Sequence, residues 1–409
     1  MKFKRIKKCQ ISGSEDLKLI LSLGLIPPVN QISKINNYPK DQIFFPTEIF
    51  YSPKSKLVQL GIQVDKTILF PKEYPYTSST TKILRDNFRQ LSREVFSNFQ
   101  INKNDLIIDI GSNDGNLLSN FKDKMKVLGV TPENIAKIAI KKGIPTIQKY
   151  FSFKLSNQIK KKYGKASVIT TTNSFAHMDN IERILMGIKN LLKNDGIFIN
   201  ESHYLKSLVD QNQYDTIYHE HLRYYSLASL NYLFKKHGLE IIKAKRIKTH
   251  GGSIRVYAAK KGKYKIDKNV FQLIKLENNT LFKKDLFMLY DKVTKSKLEF
   301  YKLIDKIKKN KNTKIYGISA PSRSTTLLNF LGVTKDVLEC ILEIDGSKKI
   351  NHYLPGTDIP IYNEKKLYKD QPKFVLILSW HIYKQIIFNL KKRGYNGKFI
   401  VPLPRPKII

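Results

Sequence analysis

The 409-residue sequence contains only two cysteines, Cys9 and Cys340, and a single tryptophan. Two thiols this far apart in sequence exclude a disulfide framework or a cysteine-rich metal cage within one chain. No stretch approaches the ~18 to 20 uninterrupted apolar residues of a membrane-spanning helix. The lysine-rich start leads into polar residues rather than an apolar signal core. We therefore expect a soluble, unexported protein of the reducing cytoplasm.

Acidic residues are also scarce, since 34 of them oppose 73 basic residues and leave a formal net charge of +39. Such a charge is typical of proteins that bind nucleic acids or anionic membranes. However, only 11 of the basic residues are arginine, and lysine is the poorer residue for reading bases and binding phosphates. The lysines are spread along the whole chain, which favours an AT-rich coding bias. We expect no nucleic-acid or membrane partner, and no obligate protein partner is evident.

Three segments differ in the spacing of their apolar residues. Residues 1–77 read as a small irregular unit, in which the apolar stretch 17–25 predicts a helix. Residues 78–265 alternate apolar runs with helical spacing, which is the pattern of a parallel α/β sheet. Residues 266–409 begin with a lysine-rich helical linker and then show a second α/β alternation. The sequence predicts an α/β protein with two Rossmann-like domains and a small N-terminal unit.

A glycine-rich turn follows the first predicted strand of the middle domain and reads Asp109-Ile-Gly111-Ser-Asn113-Asp114-Gly115. Glycines let the backbone approach a ligand, and a polar side chain at the carboxyl end of a strand can bind its hydrogen-bonding groups. The turn has neither the G-x-G-x-x-G pattern of a dinucleotide site nor the lysine of a P-loop. It indicates an S-adenosylmethionine site, and a turn without a ligand is the alternative.

The segment Tyr218-His219-Glu220-His221 brings two histidines and a carboxylate together. A metal site is the less favoured interpretation, because the spacing is not that of helical zinc ligands and no cysteine is near. A histidine oriented by a neighbouring carboxylate or tyrosine is typical of acid–base catalysis near neutral pH. The alternative is a pair of histidines with purely structural hydrogen bonds.

Two further polar segments accompany these motifs. Asn173-Ser-Phe-Ala-His177 directly follows the predicted strand SVITTT, so we expect it at the same carboxyl edge of the sheet as Gly111. His250-Gly-Gly-Ser-Ile-Arg255 combines a permissive glycine pair, a possible anion-binding backbone and an arginine. A hairpin turn with an incidental arginine would explain the second segment equally well.

Eight segments carry a resemblance that covers almost the entire chain. They are EYPYTSST (73–80), IDIGSNDGNLL (108–118), NSFAHMDN (173–180), DTIYHEHLRYYS (215–226), THGGSIRVY (249–257), YLPGTDIPI (353–361), VLILSWH (375–381) and KFIVPLPRPKII (398–409). In this order they resemble the sugar-nucleotide C-methyltransferases, a family that includes nucleotide-hexose 3-C-methyltransferases. The resemblance implies a zinc-binding N-terminal unit, a Rossmann-like S-adenosylmethionine domain and a C-terminal Rossmann-like domain, with the sugar nucleotide between the last two.

The resemblance also implies roles for individual residues. The expected base is His221, and the other expected catalytic residues are Glu220, Tyr218 and His177. The expected cofactor-binding residues are Asp109, Gly111, Asn113, Asp114, Thr131 and Glu133. The expected substrate-binding residues are Tyr76, Asn173, His250, Arg255 and Arg323.

Two departures from the family pattern alter these expectations. The zinc positions hold only one thiol, at Cys9, because the others read Ser12, Ser52 and Ser55. Serine is a poor zinc ligand, and one thiolate cannot replace four, so we expect no metal.

The second departure concerns the cofactor. The acidic residue that commonly binds the ribose hydroxyls is replaced by Thr131, and Glu133 follows two positions later. A softer cofactor contact and a contact supplied by Glu133 are both compatible with this change. In the C-terminal domain, Ser324 replaces a glycine usual in the loop after Arg323.

The resemblance predicts S-adenosylmethionine-dependent C-methylation of a nucleotide-linked 4-keto deoxysugar, next to the ketone. A base would remove the α-proton, and the resulting enolate carbon would attack the methyl group. Two alternatives remain open: a nucleic-acid methyltransferase, motivated by the net charge, and a non-catalytic sugar-nucleotide-binding protein, motivated by the lost zinc ligands.

Overall fold

The computed structural model describes residues 2–36, 42–70, 81–310 and 312–409. Within these ranges the strands form sheets of two, four, seven and eight strands. None of the described helices is long and apolar enough to span a bilayer.

The N-terminal unit consists of short strands and one helical turn. These elements are β1 (Phe3–Arg5), β2 (Lys18–Ile26), β3 (Ser33–Lys34), β4 (Phe45–Ser52), β5 (Leu57–Leu60), β6 (Ile62–Val64) and α1 (Lys66–Leu69). Strands β2, β4 and β5 pair antiparallel, and β1 pairs with β6. The unit is therefore a small antiparallel sheet with a two-stranded flap.

The helix predicted over residues 17–25 is wrong, because this stretch forms β2. Its backbone groups pair with β4, while Leu19 and Leu25 lie exposed on this edge strand. A short apolar run fits helical and strand spacing equally well, and pairing with β4 decides between them.

The middle domain contains a seven-stranded sheet with helices on its faces. Its elements are α2 (Lys82–Asn98), β7 (Leu106–Ile110), β8 (Lys126–Val130), α3 (Ala136–Lys141), β9 (Thr146–Ile147), α4 (Phe153–Tyr163), β10 (Ala166–Thr172), α5 (Ile181–Leu191), β11 (Leu192–His203), α6 (Leu205–Asp210), β12 (Arg223–Tyr224), α7 (Leu227–Lys236), β13 (Leu239–Ile247) and β14 (Ser253–Lys260). The strand order is β13-β14-β11-β10-β7-β8-β9. Strands β7 to β11 are parallel, and β13 and β14 are antiparallel additions.

Strand β7 lies at a switch point of this sheet. The chain leaves β7 to form β8 on one side and returns to form β10 on the other. Open α/β sheets bind ligands in the crevice at the carboxyl ends of such strands. The topology therefore places the predicted cofactor turn after β7 and the Asn173–His177 segment after β10 at one edge.

The C-terminal domain begins with two long helical segments and continues into an eight-stranded sheet. Its elements are α8 (Lys268–Leu276), a π-helical segment (Glu277–Asp285), α9 (Leu289–Lys308), β15 (Ile315–Ile318), α10 (Ser322–Leu331), β16 (Cys340–Glu343), β17 (His352–Tyr353), β18 (Pro360–Asn363), α11 (Lys365–Asp370), β19 (Phe374–Ile377), α12 (Tyr383–Lys392), β20 (Lys398–Val401) and β21 (Lys407–Ile408). The strand order is β21-β20-β19-β15-β16-β18-β17-β3. Strand β15 is a second switch point, because β16 and β19 flank it.

The three parts of the chain share elements. Strand β3 of the N-terminal unit completes the edge of the C-terminal sheet, and β12 of the middle domain pairs with β5. One hydrophobic core joins the N-terminal sheet, the helical linker and the C-terminal sheet, for example through Ile49, Val293 and Ile341. Two other clusters cover the two faces of the middle sheet. The segment between α6 and β12, which contains Tyr218 to His221, is thus held between all three parts.

Candidate active site

The predicted cofactor turn lies directly at the end of β7. Gly111 adopts a φ of 86°, and a Cβ atom there would lie 2.5 Å from the Cβ of Ser174, in the loop after β10. Asn113 adopts a φ of 50°. The side chain of Asp114 is fully buried, and one of its carboxylate oxygens accepts a hydrogen bond of 3.1 Å from Lys142. The turn is a narrow backbone cradle that suits a ligand approaching the main chain.

Asp109 is a buried carboxyl group at the same edge. Its Oδ1 accepts a 2.7 Å hydrogen bond from the hydroxyl of Thr170 on β10. Burial raises the pKa of Asp109 to about 7, and the nearby charge of Glu201 also raises it. A raised carboxyl pKa at a sheet edge is typical of a functional site.

Thr131 and Glu133 follow β8, the neighbour of β7. The Thr131 hydroxyl donates a 2.6 Å hydrogen bond to Oε2 of Glu133. Thr131 is buried and Glu133 is half-buried. The structure therefore brings the two residues together as a pair. Their carboxylate lies after β8, the strand next to β7 and its cofactor turn.

His221 has a defined tautomer. Its Nδ1 lies 2.8 Å from the carbonyl oxygen of Thr216, so Nδ1 carries the proton and donates to that acceptor. Nε2 then carries the lone pair, and no described residue hydrogen-bonds to it. Burial lowers the pKa of His221 well below its usual value, with a further contribution from His177. The imidazole is thus neutral at pH 7 and presents a basic nitrogen.

Aromatic rings surround His221. The ring of Tyr218 lies 4.1 Å from it, centroid to centroid, and the ring of His177 approaches at 4.9 Å edge-on. The Tyr224 ring lies 6.3 Å away, and its hydroxyl is buried without a partner among the described residues. Burial lowers the pKa of His177 to about 4, so this imidazole is neutral as well. The rings of His177, Tyr218 and Tyr224 therefore pack around the His221 imidazole.

His219 differs from its neighbours. Its Nε2 lies 3.1 Å from the Thr47 hydroxyl and 3.2 Å from the carbonyl oxygen of Pro46, both on β4. This histidine is buried and belongs to the packing between the N-terminal unit and the segment Tyr218–His221, the candidate catalytic segment. His219 therefore fits the alternative given above for this segment, a histidine whose hydrogen bonds are purely structural.

Glu220 is buried, and one of its carboxylate oxygens accepts a hydrogen bond from the side-chain amide of Asn30. Asn30 lies after β2 in the N-terminal unit, and no sequence motif singled it out. The structure therefore adds a residue of the N-terminal unit to the candidate site.

Arg323 extends from α10 of the C-terminal domain to the middle domain. Its Nη2 donates a 2.9 Å hydrogen bond to Asp215, and its Nε lies 2.8 Å from the second oxygen of the same carboxylate. Its Nη1 donates to Nδ1 of His381 at 2.8 Å. The indole of Trp380 donates to Asp215 at 2.7 Å. This buried ion pair connects the two Rossmann-like domains beside the second switch point.

Two further histidines lie near Arg323. His203 uses Nε2 to bond to Gln213 at 3.1 Å, while its Nδ1 is buried without a described partner. Nε2 of His250 is likewise buried without a described partner. Burial, together with the charge of Arg323, lowers the pKa of His250 to about 4. Burial lowers the pKa of His203 to about 3. The unpartnered nitrogens of His203 and His250 and the guanidinium of Arg323 thus form a polar region between the two Rossmann-like domains.

Comparisons with known proteins find relatives of both Rossmann-like domains. Residues 83–244 match the family described as a methyltransferase domain, and residues 248–404 match the family described as a C-methyltransferase C-terminal domain. The chain is 28% identical over 413 residues to the C-methyltransferase NovU of Streptomyces niveus, a match covering 99% of this chain and 97% of that protein. The chain is an S-adenosylmethionine-dependent C-methyltransferase.

Solved methyltransferases resemble part of this C-methyltransferase. A magnesium protoporphyrin IX methyltransferase from Synechocystis, solved with bound S-adenosylmethionine, is 12% identical, with 43% of this chain and 79% of that chain covered and a TM-score of 0.33. A methyltransferase from Anabaena variabilis is 15% identical, with 44% and 86% covered and a TM-score of 0.35.

Arg255 has a different environment in the C-methyltransferase from the predicted substrate contact. It is fully buried, pairs with Glu201 and Glu94, and donates a 2.8 Å hydrogen bond to the side chain of Asn87. The geometry assigns it to bracing β14 against β11 and α2. These partners lie far apart in sequence and occupy the guanidinium donors of Arg255, so Arg255 is not available as a substrate contact.

Tyr76, expected in the substrate pocket, lies outside the described residues. Asn173 lies immediately after β10, where its backbone adopts a φ of 57° and its N–H donates to the carbonyl of Glu201 at 2.8 Å. The C-methyltransferase thus brings Asn173 to the same edge as Gly111 and His177.

The residues at the family's zinc positions do come together in space. Sγ of Cys9 lies 3.1 Å from the Ser55 hydroxyl, and the Ser12 N–H donates to the same sulfur at 3.4 Å. Burial, the largest single influence, raises the pKa of the Cys9 thiol, but hydrogen bonds from the surrounding serines outweigh it, so the pKa is lowered. One thiol and three hydroxyls do not suit zinc. Among the described residues, no cluster of three or more His, Cys, Asp or Glu is arranged to hold a metal.

Proposed function

We propose that this C-methyltransferase methylates a carbon next to the ketone of a nucleotide-linked 4-keto deoxysugar, through base abstraction and an enolate. The observation that carries the proposal is the orientation of His221. Its Nδ1–H is held by the Thr216 carbonyl, so its basic Nε2 is available at the edge that the cofactor cradle shares.

The chemistry requires such a base, because a carbon next to a hydroxyl alone is inert. A ketone acidifies the neighbouring C–H bond, so a positioned base can remove the proton and contribute ~10² to 10⁴ in rate. The electron pair of the broken C–H bond passes into the enolate, whose carbon then forms the new C–C bond. S-adenosylmethionine, when bound, would supply the electrophilic methyl group on sulfur, and the leaving group would be the neutral thioether.

The proximity of His221 to the cradle supports this assignment. The loop that crowds Gly111, at Ser174, continues into the 3₁₀ turn Phe175–His177. His177 then contacts His221, and the N–H of Leu222 donates to the carbonyl of Ala176 at 3.1 Å. One short loop thus joins the cofactor cradle to the proposed base. Efficient transfer needs the carbon and the methyl group ~3 to 3.5 Å apart.

Neutral hydrogen-bond donors favour the enolate. Its oxygen gains negative charge as the proton leaves, and preorganised donors in a dry site stabilise that charge. His177 and Tyr218 contact His221 directly, and the buried Tyr224 hydroxyl lies next to them. Because burial lowers the pKa of His221, the base is weak, and stabilisation of the enolate becomes correspondingly important.

The polar region between the domains suits the nucleotide part of the substrate. The guanidinium of Arg323 is already paired with Asp215, so in this proposal it holds the wall of the site, while the unpartnered nitrogens of His250 and His203 suit phosphate or sugar oxygens. Asn173 and the predicted contact Tyr76 would complete the sugar pocket. The two switch points would then hold the cofactor and the nucleotide on opposite sides of the reacting carbon.

The cradle fits S-adenosylmethionine. The close approach at Gly111, where any side chain would fill the turn, supports this fit, as does the pair of Thr131 and Glu133 after the next strand. In this assignment Glu133 accepts from the ribose hydroxyls, while Asp109, Asn113 and Asp114 shape the turn.

Incubation with S-adenosylmethionine and a panel of nucleotide-4-ketohexoses tests the proposal. We expect a product heavier by one CH₂ unit, with the methyl group on the carbon next to the ketone. A nucleotide sugar that binds but is never methylated would support the non-catalytic alternative, and methylation of nucleic acid instead would contradict the proposed substrate class.

A further inference from the structure

Asn30 contacts the proposed catalytic segment across 190 residues of sequence. Its Nδ2 lies 2.5 Å from Oε1 of Glu220, and both side chains are buried, with 7% and 3% of their surface exposed. A buried amide and a buried carboxylate at this distance form a strong contact, because the hydrogen bond involves a charged acceptor.

The Asn30 amide has a second neighbour on its other side. The Ser322 hydroxyl, at the start of α10, lies 3.5 Å from Oδ1 of Asn30. A hydroxyl donor opposite the amide oxygen directs the NH₂ group toward Glu220. Asn30 therefore connects the N-terminal unit, the catalytic segment and the C-terminal domain.

Charged groups of the C-terminal domain face the same carboxylate. The ammonium of Lys349 donates to the carbonyl of Ala320 at 2.5 Å, and its charge interacts with Glu343 and Glu220. From the catalytic segment itself, His221 follows Glu220 directly, and the His177 ring lies against the main chain of Glu220. Glu220 thus lies among groups from all three parts of the chain.

We propose that Asn30 is a positioning residue of the active site, which fixes the Glu220 carboxylate and, through it, the turn that carries His221. The inference rests on the proposed function, which places Glu220 and His221 at the reacting sugar. The N–H of His221 donates to the carbonyl of Tyr218 at 3.0 Å, so the segment is a tight turn in which a displaced Glu220 displaces the base. The N-terminal unit thereby completes the catalytic site.

Exchanging the amide and the carboxylate between positions 30 and 220 tests the Asn30–Glu220 contact without any substrate. Asn30→Asp keeps the shape of the side chain but places two carboxylates at hydrogen-bonding distance, where they cannot both ionise. We expect Asn30→Asp to lower the melting temperature at pH 7.5 and to recover as the pH falls to 5.5 and the pair shares a proton. The double variant Asn30→Asp/Glu220→Gln restores an amide–carboxylate pair, so we expect it to recover stability at pH 7.5.

Steady-state kinetics then test the positioning role. We expect Asn30→Ala to lower kcat about 10- to 100-fold, the value of a hydrogen bond to a charged group, with the KM for S-adenosylmethionine unchanged. For Asn30→Asp, the activity relative to wild type should rise as the pH falls. The control is Asn36→Ala, at an exposed position of the same unit, which should retain wild-type kcat and stability.

Two results would overturn the inference: an Asn30→Asp/Glu220→Gln variant no more stable than Asn30→Asp, or wild-type kcat in Asn30→Ala. If Asn30→Asp/Glu220→Gln regains stability while the wild type methylates no nucleotide-ketohexose, the Asn30–Glu220 contact is supported and the proposed substrate is wrong.

Discussion

The hydroxyl of Thr131 donates a 2.6 Å hydrogen bond to the carboxylate of Glu133. In the resembling family an acidic residue stands at the threonine position, and here the carboxylate comes from two residues further along. Because this hydrogen bond holds Oε2 of Glu133, it restricts the direction in which the Glu133 side chain points. The acidic contact to the cofactor is therefore moved along the chain, in our proposal, rather than lost.

We expect Glu133→Ala to weaken S-adenosylmethionine binding about 10- to 100-fold, because hydrogen bonds to a charged acceptor are lost. Thr131→Val should weaken binding less, because it only removes the group that orients the carboxylate. Isothermal titration calorimetry measures both, with Glu15→Ala, an exposed residue of the N-terminal unit, as the control. If Glu133→Ala and wild type bind S-adenosylmethionine with equal affinity, Glu133 does not contact the cofactor and Thr131 alone supplies the contact.

Gly111→Ala should abolish measurable cofactor binding at micromolar concentration, because the added Cβ would lie 2.5 Å from Ser174 in the cradle. Gly143→Ala is the matched control, since it has a similar positive φ of 73° but no atom within 4 Å of its Cβ. Both variants should lose some stability through the backbone strain, measured by thermal unfolding. Only the first should lose binding, and equal affinities would sink the cradle assignment.

Acid should destabilise the protein through its buried histidines. Burial lowers the pKa of His219 to about 4, below its unfolded value of about 6.5. Between these values the unfolded chain binds the proton and the folded chain does not, so stability is present above pH 6.5 and is lost as the pH falls.

His219→Gln should therefore reduce the pH slope of the unfolding free energy near pH 5 by about 1.4 kcal/mol per pH unit. Urea unfolding at several pH values measures this slope. A His219→Gln slope equal to wild type would show that this histidine is protonated in the fold.

The N-terminal unit should hold no stoichiometric zinc, because one thiol and three hydroxyls occupy the zinc positions. We expect elemental analysis to find less than one equivalent and EDTA to leave the melting temperature unchanged. The triple variant Ser12→Cys/Ser52→Cys/Ser55→Cys should gain one tightly bound zinc, since Cys9, Ser12 and Ser55 already lie in contact. One equivalent of zinc in the wild type would refute the prediction.

Much of the fold was readable from the sequence, because parallel strands alternating with helices leave continuous apolar runs. The runs at 106–110, 126–130 and 167–172 each fall within a strand of the middle sheet. The edge strand β2 was not readable, because its apolar spacing suits a helix until β4 pairs with it. Short apolar runs at sheet edges depend on tertiary partners that spacing does not encode.

In the candidate site, too, some residues could be predicted from local motifs and others depend on contacts between distant parts of the chain. The motifs placed Gly111 and Asn173 at one sheet edge, because carboxyl ends of adjacent parallel strands meet there. The expectation for His221 came from the family resemblance. No local pattern marks Asn30, whose role depends on a contact across 190 residues. The motif around Arg255 suggested an anion site, but its acidic partners are remote in sequence and the fold buries them together.

The central claim is that His221 removes the proton next to the ketone, and solvent exchange tests it most directly. With S-adenosylhomocysteine bound, which has no methyl group to transfer, wild-type protein in D₂O should introduce deuterium at the carbon next to the ketone of the nucleotide sugar. His221→Ala should bind both ligands with near-normal affinity but lose this exchange by about 10² to 10⁴. If His221→Ala exchanges at the wild-type rate while His177→Ala does not, His177 is the base and the account is contradicted.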